Sequence, residues 1–239
     1  MRASIRIVLT AACLICGIAA FAKAFAGEEK MLRGTVSKVS DGDTIHFDDA
    51  ASGETLKIRM VGIDAPEAHL PIPGGGPMVG QGKWGDAATA ALERLTPVGT
   101  KVVLQDLGLD KYGRTLGRYF YRGRDVNLQM VRLGQAVPYV ICDGPSCDRD
   151  FFEREKVEDY LKACDEARAA GRGLFNPAHP LREMPYEFRL RMQKRTPDKF
   201  VGDFADRSLH EPTEIRAVDV CRRIFFLKRE YATRLGFHF

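Results

Sequence analysis

One run of eleven residues limits this chain more than any other: Lys57-Ile58-Arg59-Met60-Val61-Gly62-Ile63-Asp64-Ala65-Pro66-Glu67. Its first part is apolar and rich in branched side chains, the pattern of a strand. Its last part leaves that strand in a turn, because Pro66 has no N–H for a ladder and biases Ala65 towards an extended conformation. A cation inside the strand and two carboxylates at its rigid exit are odd for a plain core. Taken alone, the run fits a half-buried strand with a charged edge equally well. The rest of the chain decides between them.

At 239 residues and 45% hydrophobic content, the chain is long enough for one well-packed globular domain and an appendage. Residues 1–26 read as a signal peptide. Arg2 and Arg6 precede an apolar run over 7–21, and Ala24-Phe25-Ala26 supplies a small-x-small cleavage site. The alternative is a retained anchor, for which the run is short. Cleavage would remove three cations and no acids, lowering the net charge from +4 to +1, so any basic surface must be local. Cys142, Cys147, Cys164 and Cys221 remain. In an exported chain these are disulfide candidates with three connectivities, and Cys142 and Cys147 are near enough to close on each other or for either to reach Cys164.

Residues 32–39 predict a short strand, Asp41-Gly42-Asp43-Thr44 a tight turn, 45–47 a returning strand and 55–63 a third. An EF-hand reading of Asp41 and Asp43 fails, because the loop glycine position falls on His46 and the twelfth on Ser52. The Gly/Pro-rich stretch 68–82 reads as a flap beside the carboxylate turn or as a solvated linker. Helices are expected over 85–95, 126–133 and 151–170, and further strands over 101–107 and 115–121, with 136–141 extended. That order is an α+β fold, a five-stranded OB-type β-barrel with three helices, followed by a C-terminal extension.

Asp43, Asp64, Glu67, Arg59 and Arg114 all emerge from strand ends of this barrel. Phosphodiester hydrolysis needs such a set. The anionic substrate repels a nucleophile, so a hard cation and guanidinium groups must offset charge that builds on the phosphoryl oxygens. Two aspartates are too few for a closed calcium cage, which leaves room for water and substrate oxygens. A third carboxylate can orient or deprotonate water, and arginine grips phosphate bidentately.

The motifs Asp41-Gly42-Asp43-Thr44, Arg59 through Asp64-Ala65-Pro66-Glu67, Asp110-Lys111-Tyr112-Gly113-Arg114, and Val126-Asn127 leading to Leu133-Gly134 occur in this order. Over residues 32–175 the chain resembles the thermonuclease (staphylococcal nuclease-like) family. The resemblance implies that Asp43, Asp64 and the carbonyl of Ala65 ligate Ca2+, that Glu67 is the general base, and that Arg59 and Arg114 clamp phosphate. Lys111 and Tyr112 would hold a terminal phosphate. Tyr139 would pack on the nucleotide, more weakly than in relatives that carry a second tyrosine where this chain has Ile141. The implied protein is a periplasmic or secreted monomer, off the membrane after signal cleavage, that cuts DNA or RNA to 3′-phosphates. An OB-fold nucleic-acid binder without turnover is the alternative, and retention of all five polar positions argues against it.

The domains expected are therefore 1–26, 27–176 and 177–239. The last carries 13 Lys+Arg against 9 Asp+Glu. It faintly resembles a small metal-binding module but retains only Cys221 and His210 as candidate ligands, so it reads as a metal-free remnant or a packing segment. On this reading the core is active without it.

Overall fold

The computed structural model describes residues 30–144 and 147–239. The stretch 1–26, which the sequence suggests is a signal peptide, lies outside the described residues. Among them, no helix is long and apolar enough to cross a membrane.

Alternating burial drives the first strands together. β1 (Lys30–Asp41), β2 (Thr44–Asp49) and β3 (Thr55–Met60) form an antiparallel meander, and β5 (Lys101–Leu109) and β6 (Thr115–Tyr121) a second hairpin beside β1, with the two-residue β7 (Arg124–Asp125) paired to β6. Parallel pairing of β3 with β6 closes five strands into a barrel. Register shifts along β1 give it the local bend that closure needs. Val36, Ile45, Phe47, Ile58, Met60 and Leu104 fill the interior and are fully buried. The fold is the α+β, OB-like barrel that the strand and turn pattern predicts.

The third predicted strand is two strands. β3 ends at Met60, Gly62 takes φ 76°, and β4 (Gly62–Asp64) turns away to pair antiparallel with β8 (Val137–Cys142). A side chain at Gly62 would also lie 2.9 Å from the Tyr160 ring, so the bend requires glycine twice over. Asn127 holds the bend from inside: its Nδ2 donates to the carbonyls of Val61 (3.0 Å) and Gly117 (3.1 Å). The helices of this half are α1 (Lys83–Leu95), α2 (Val126–Arg132), α3 (Phe151–Arg154) and α4 (Val157–Ala169). The long helix expected over 151–170 breaks at Lys156, where φ is 51°.

Residues 177–239 are part of the same unit as the barrel. They supply α5 (Pro185–Met192), β9 (Phe200–Asp203), β10 (Leu209–His210), β11 (Arg223–Phe226) and α6 (Arg229–Arg234). β11 pairs parallel with β8, making a second sheet of order β10-β9-β11-β8-β4. β8 is therefore covered on both faces. Val140 and Cys142 enter the main core, while Tyr139 and Ile141 pack against Tyr186, Leu190, Val201 and Phe225 of the extension. Its continuous run of apolar residues is the composition of such a doubly covered strand. Disulfides join Cys142 to Cys147 and Cys164 to Cys221, the second tying α4 to the extension. Cys221 is thus a cross-link, and His210 bonds Ser208 rather than a partner cysteine.

Candidate active site

The turn before β2 and the exit of β4 meet at one end of the barrel. Gly42 is squeezed between them, since a Cβ there would lie 2.6 Å from the Ala88 Cβ and 2.7 Å from the Ala65 Cβ. The sequence suggests a glycine for a sharp reversal, but the need is space. The close approach lets Asp43 Oδ2 accept the Ala65 N–H at 2.9 Å, while the Asp43 carbonyl accepts from Met60 N–H. Asp43 is thereby locked to the backbone that carries Asp64, Ala65 and Glu67.

Arg59 points along β3 into the same pocket. Its Nη1 lies 3.2 Å from Asp43 Oδ2, and its Nη2 3.3 Å from Asp64 Oδ1. The two aspartates thus share one guanidinium. Arg59 also donates to the carbonyls of Met60 and Ile63, so its fork is fixed on four sides. Glu67 is set by its backbone: Gln81 N–H donates to its carbonyl (2.7 Å), Gln81 Oε1 accepts its N–H (3.2 Å), and a Cβ at Gly85 would lie 2.4 Å from that carbonyl. The Gly/Pro-rich stretch is consequently anchored at its base, by this clamp and a Leu70–Val79 bridge, with an exposed tip over 73–78.

A residue that sequence reasoning missed completes the pocket. Arg189, on α5, grips both oxygens of Asp64 (Nη1–Oδ1 2.6 Å, Nη2–Oδ2 2.9 Å) and reaches Glu67 Oε1 at 2.8 Å. Its guanidinium also sits 5.7 Å from the centre of the Tyr139 ring. Pro185 at the start, Glu187 in the first turn and arginines in the last turn are a helix signature. Nothing local says which arginine turns towards the acids.

Electrostatics show how crowded the pocket is. Burial, reinforced by Asp43, pushes Asp41 up to about 7. Burial also raises Asp64 and Glu67, against the pull of Arg189, and neighbouring acids add to the effect. Burial disfavours the Arg59 charge, but Asp43 and Asp64 outweigh it and leave that guanidinium more firmly protonated. Four acids face two guanidiniums, and more positive charge would be accommodated. A hard oxygen-seeking cation fits this donor chemistry. Among the described residues no three His, Cys, Asp or Glu side chains are grouped so as to hold a metal ion between them. Asp43, Asp64 and the Ala65 carbonyl would hold the ion in an open site, provided Arg189 yields Asp64.

The remaining candidates lie elsewhere. Arg114 is held by Asp110, whose Oδ2 accepts from its Nε and lies 2.8 Å from its Nη2, and not by Asp43, Asp64 or Glu67. Lys111 and Tyr112 stand exposed at the tip of the β5–β6 hairpin. Tyr139 does not present an open face: its ring lies 4.8 Å from that of Phe225 and 5.4 Å from that of Tyr186. The extension occupies the surface that the resemblance implies for a nucleotide base. Ile141 is apolar because it packs in the same covered layer.

Residues 57–177, just over half of the chain, match the family described as staphylococcal nuclease homologue. The chain belongs to this family. It is 32% identical over 207 residues to "Endonuclease YhcR" of Bacillus subtilis (strain 168), covering 85% of this chain but only 16% of that protein. It is 33% identical over 151 residues to an "Uncharacterized endonuclease" of Escherichia coli O157:H7, covering 63% of this chain and 81% of the relative. It is 30% identical over 203 residues to "Micrococcal nuclease" of Shigella flexneri, covering 81% of this chain and 97% of the relative. The Bacillus and Shigella alignments are longer than the family's matched segment, so similarity to members extends past the barrel.

Proposed function

We propose that this member of the nuclease family is an exported, calcium-dependent phosphodiesterase, acting as a monomer on DNA or RNA and leaving 3′-phosphates. The observation that carries the reading is the meeting of Asp43, Asp64, Glu67 and Arg59 in one pocket. Asp43, Asp64 and the Ala65 carbonyl would hold a divalent cation, which when bound would supply charge compensation at the phosphoryl oxygens. Arg59 offers a preset fork to the phosphate oxygens, and Arg114, released from Asp110, is the second clamp. Lys111 and Tyr112 meet a neighbouring phosphate. Glu67 takes the proton of the attacking water, and its raised pKa brings it nearer to the range of an effective base. Two disulfides support an oxidising compartment.

A gel assay on single- and double-stranded DNA and RNA tests this directly. Cleavage should stop in EDTA and return when calcium exceeds the chelator. Undiminished cleavage in chelator would exclude the cation, and no cleavage of any substrate with calcium would exclude the nuclease.

A further inference from the structure

We infer that Arg189 is the resident counter-cation of the acidic pocket, which a divalent ion must displace from Asp64, so that this one side chain sets the cation affinity of the site and couples ion uptake to substrate phosphate. The inference rests on the proposed calcium-dependent reading and names what controls it.

The geometry is that of a competitor. A bidentate fork uses both oxygens of Asp64, and Arg59 uses one of them again. Asp64 is fully buried, so no solvent-facing lone pair is left for an ion. An ion ligated by Asp64 would stand beside the Arg189 charge in a water-poor pocket, where like charges repel most. The two therefore exchange rather than add.

Arg189 has somewhere to go. Its side chain is 21% exposed, whereas that of Asp64 is 1% exposed, so it enters from the mouth of the pocket. α5 is pinned by Tyr186 and Leu190 against Tyr139, Ile141, Val201 and Phe225, so only the side chain needs to move. With Arg189 on Asp64, its guanidinium already stands 5.7 Å from the centre of the Tyr139 ring and donates to Glu67 Oε1, so these neighbours are at hand when it leaves Asp64 to meet an anionic substrate at the entrance. Phosphate then stabilises the displaced guanidinium, and by linkage substrate raises ion affinity by the factor by which the ion raises substrate affinity. Arg189 acts as a positioning residue in this scheme.

Calorimetric titration of the disulfide-intact protein with calcium chloride, with and without a phosphorothioate-linked oligothymidine, tests it. The wild type should bind calcium weakly alone and at least about tenfold more tightly with the oligonucleotide. Arg189→Gln should bind calcium at least about tenfold more tightly than wild type without oligonucleotide, and show a smaller gain from it. Equal or weaker calcium binding by a folded Arg189→Gln protein would overturn the role of Arg189 while leaving the cation site standing. No calcium binding by either protein, even with oligonucleotide, would overturn the cation reading and this inference with it. Should Arg189→Gln fail to fold, Arg189→Met, which keeps an apolar stem of similar reach but loses both the charge and the fork, should still bind calcium more tightly than wild type. Unchanged affinity there would also reject the proposal.

Discussion

Replacing Glu67 with glutamine is expected to lower turnover by about 10²–10⁴-fold, the usual contribution of a positioned general base. The substitution keeps size and planarity, so the Gln81 clamp on the backbone and the close contact with Gly85 should survive. The Arg189 contact at Oε1 can still be made, because an amide oxygen also accepts. What disappears is the ability to take a proton. Single-turnover kinetics at saturating substrate, together with oligonucleotide affinity, separate the two effects. The rate should collapse while affinity stays within a few-fold of wild type. A rate within about tenfold of wild type would remove Glu67 from the chemistry.

Truncation after Asn176 is expected to destroy the fold, contrary to what the sequence suggests about a self-sufficient core. Ile224, Phe226 and Phe237 are almost completely buried in the same cluster as the barrel interior. Burying three such side chains stabilises by about 5–9 kcal/mol as an upper estimate. The Cys164–Cys221 link adds about 2–4 kcal/mol. A domain of this kind has about 5–15 kcal/mol in total. Truncation would also strip the cover from Tyr139 and Ile141 and leave β8 an open edge. Far-UV circular dichroism and the fluorescence of Trp84, which packs against the cluster of Val137, Leu174 and Leu181, should show a poorly folded or aggregated product. Cooperative unfolding within a few degrees of the full-length protein would show that the barrel stands alone.

The barrel was legible because its signals are local. Alternation marks the strands, and Asp41-Gly42, Asp110 and Gly113 mark reversals. The acids and Arg59 were legible because a turn or strand end fixes where each emerges. The division of the third strand was not, since only tertiary pairing with β8 reveals that Gly62 is a bend. Arg189 was invisible for a stronger reason: it lies 125 residues from Asp64 and meets it through packing of an element with no motif. The same packing changes the meaning of Ile141. As a sequence departure it suggests weakened stacking, whereas in the fold it is half of an apolar layer under the extension. The cysteine pairing, open among three connectivities, depends on the docking of residues 177–239.

The Cys164–Cys221 bond has a consequence for survival after damage. It closes a loop of 57 residues that contains α5 and Arg189. A protease that nicks this loop once frees no fragment, because both new ends stay covalently moored, one through the backbone and the other through sulfur. Scission there would show only after reduction, as two bands from a molecule that had continued to behave as one.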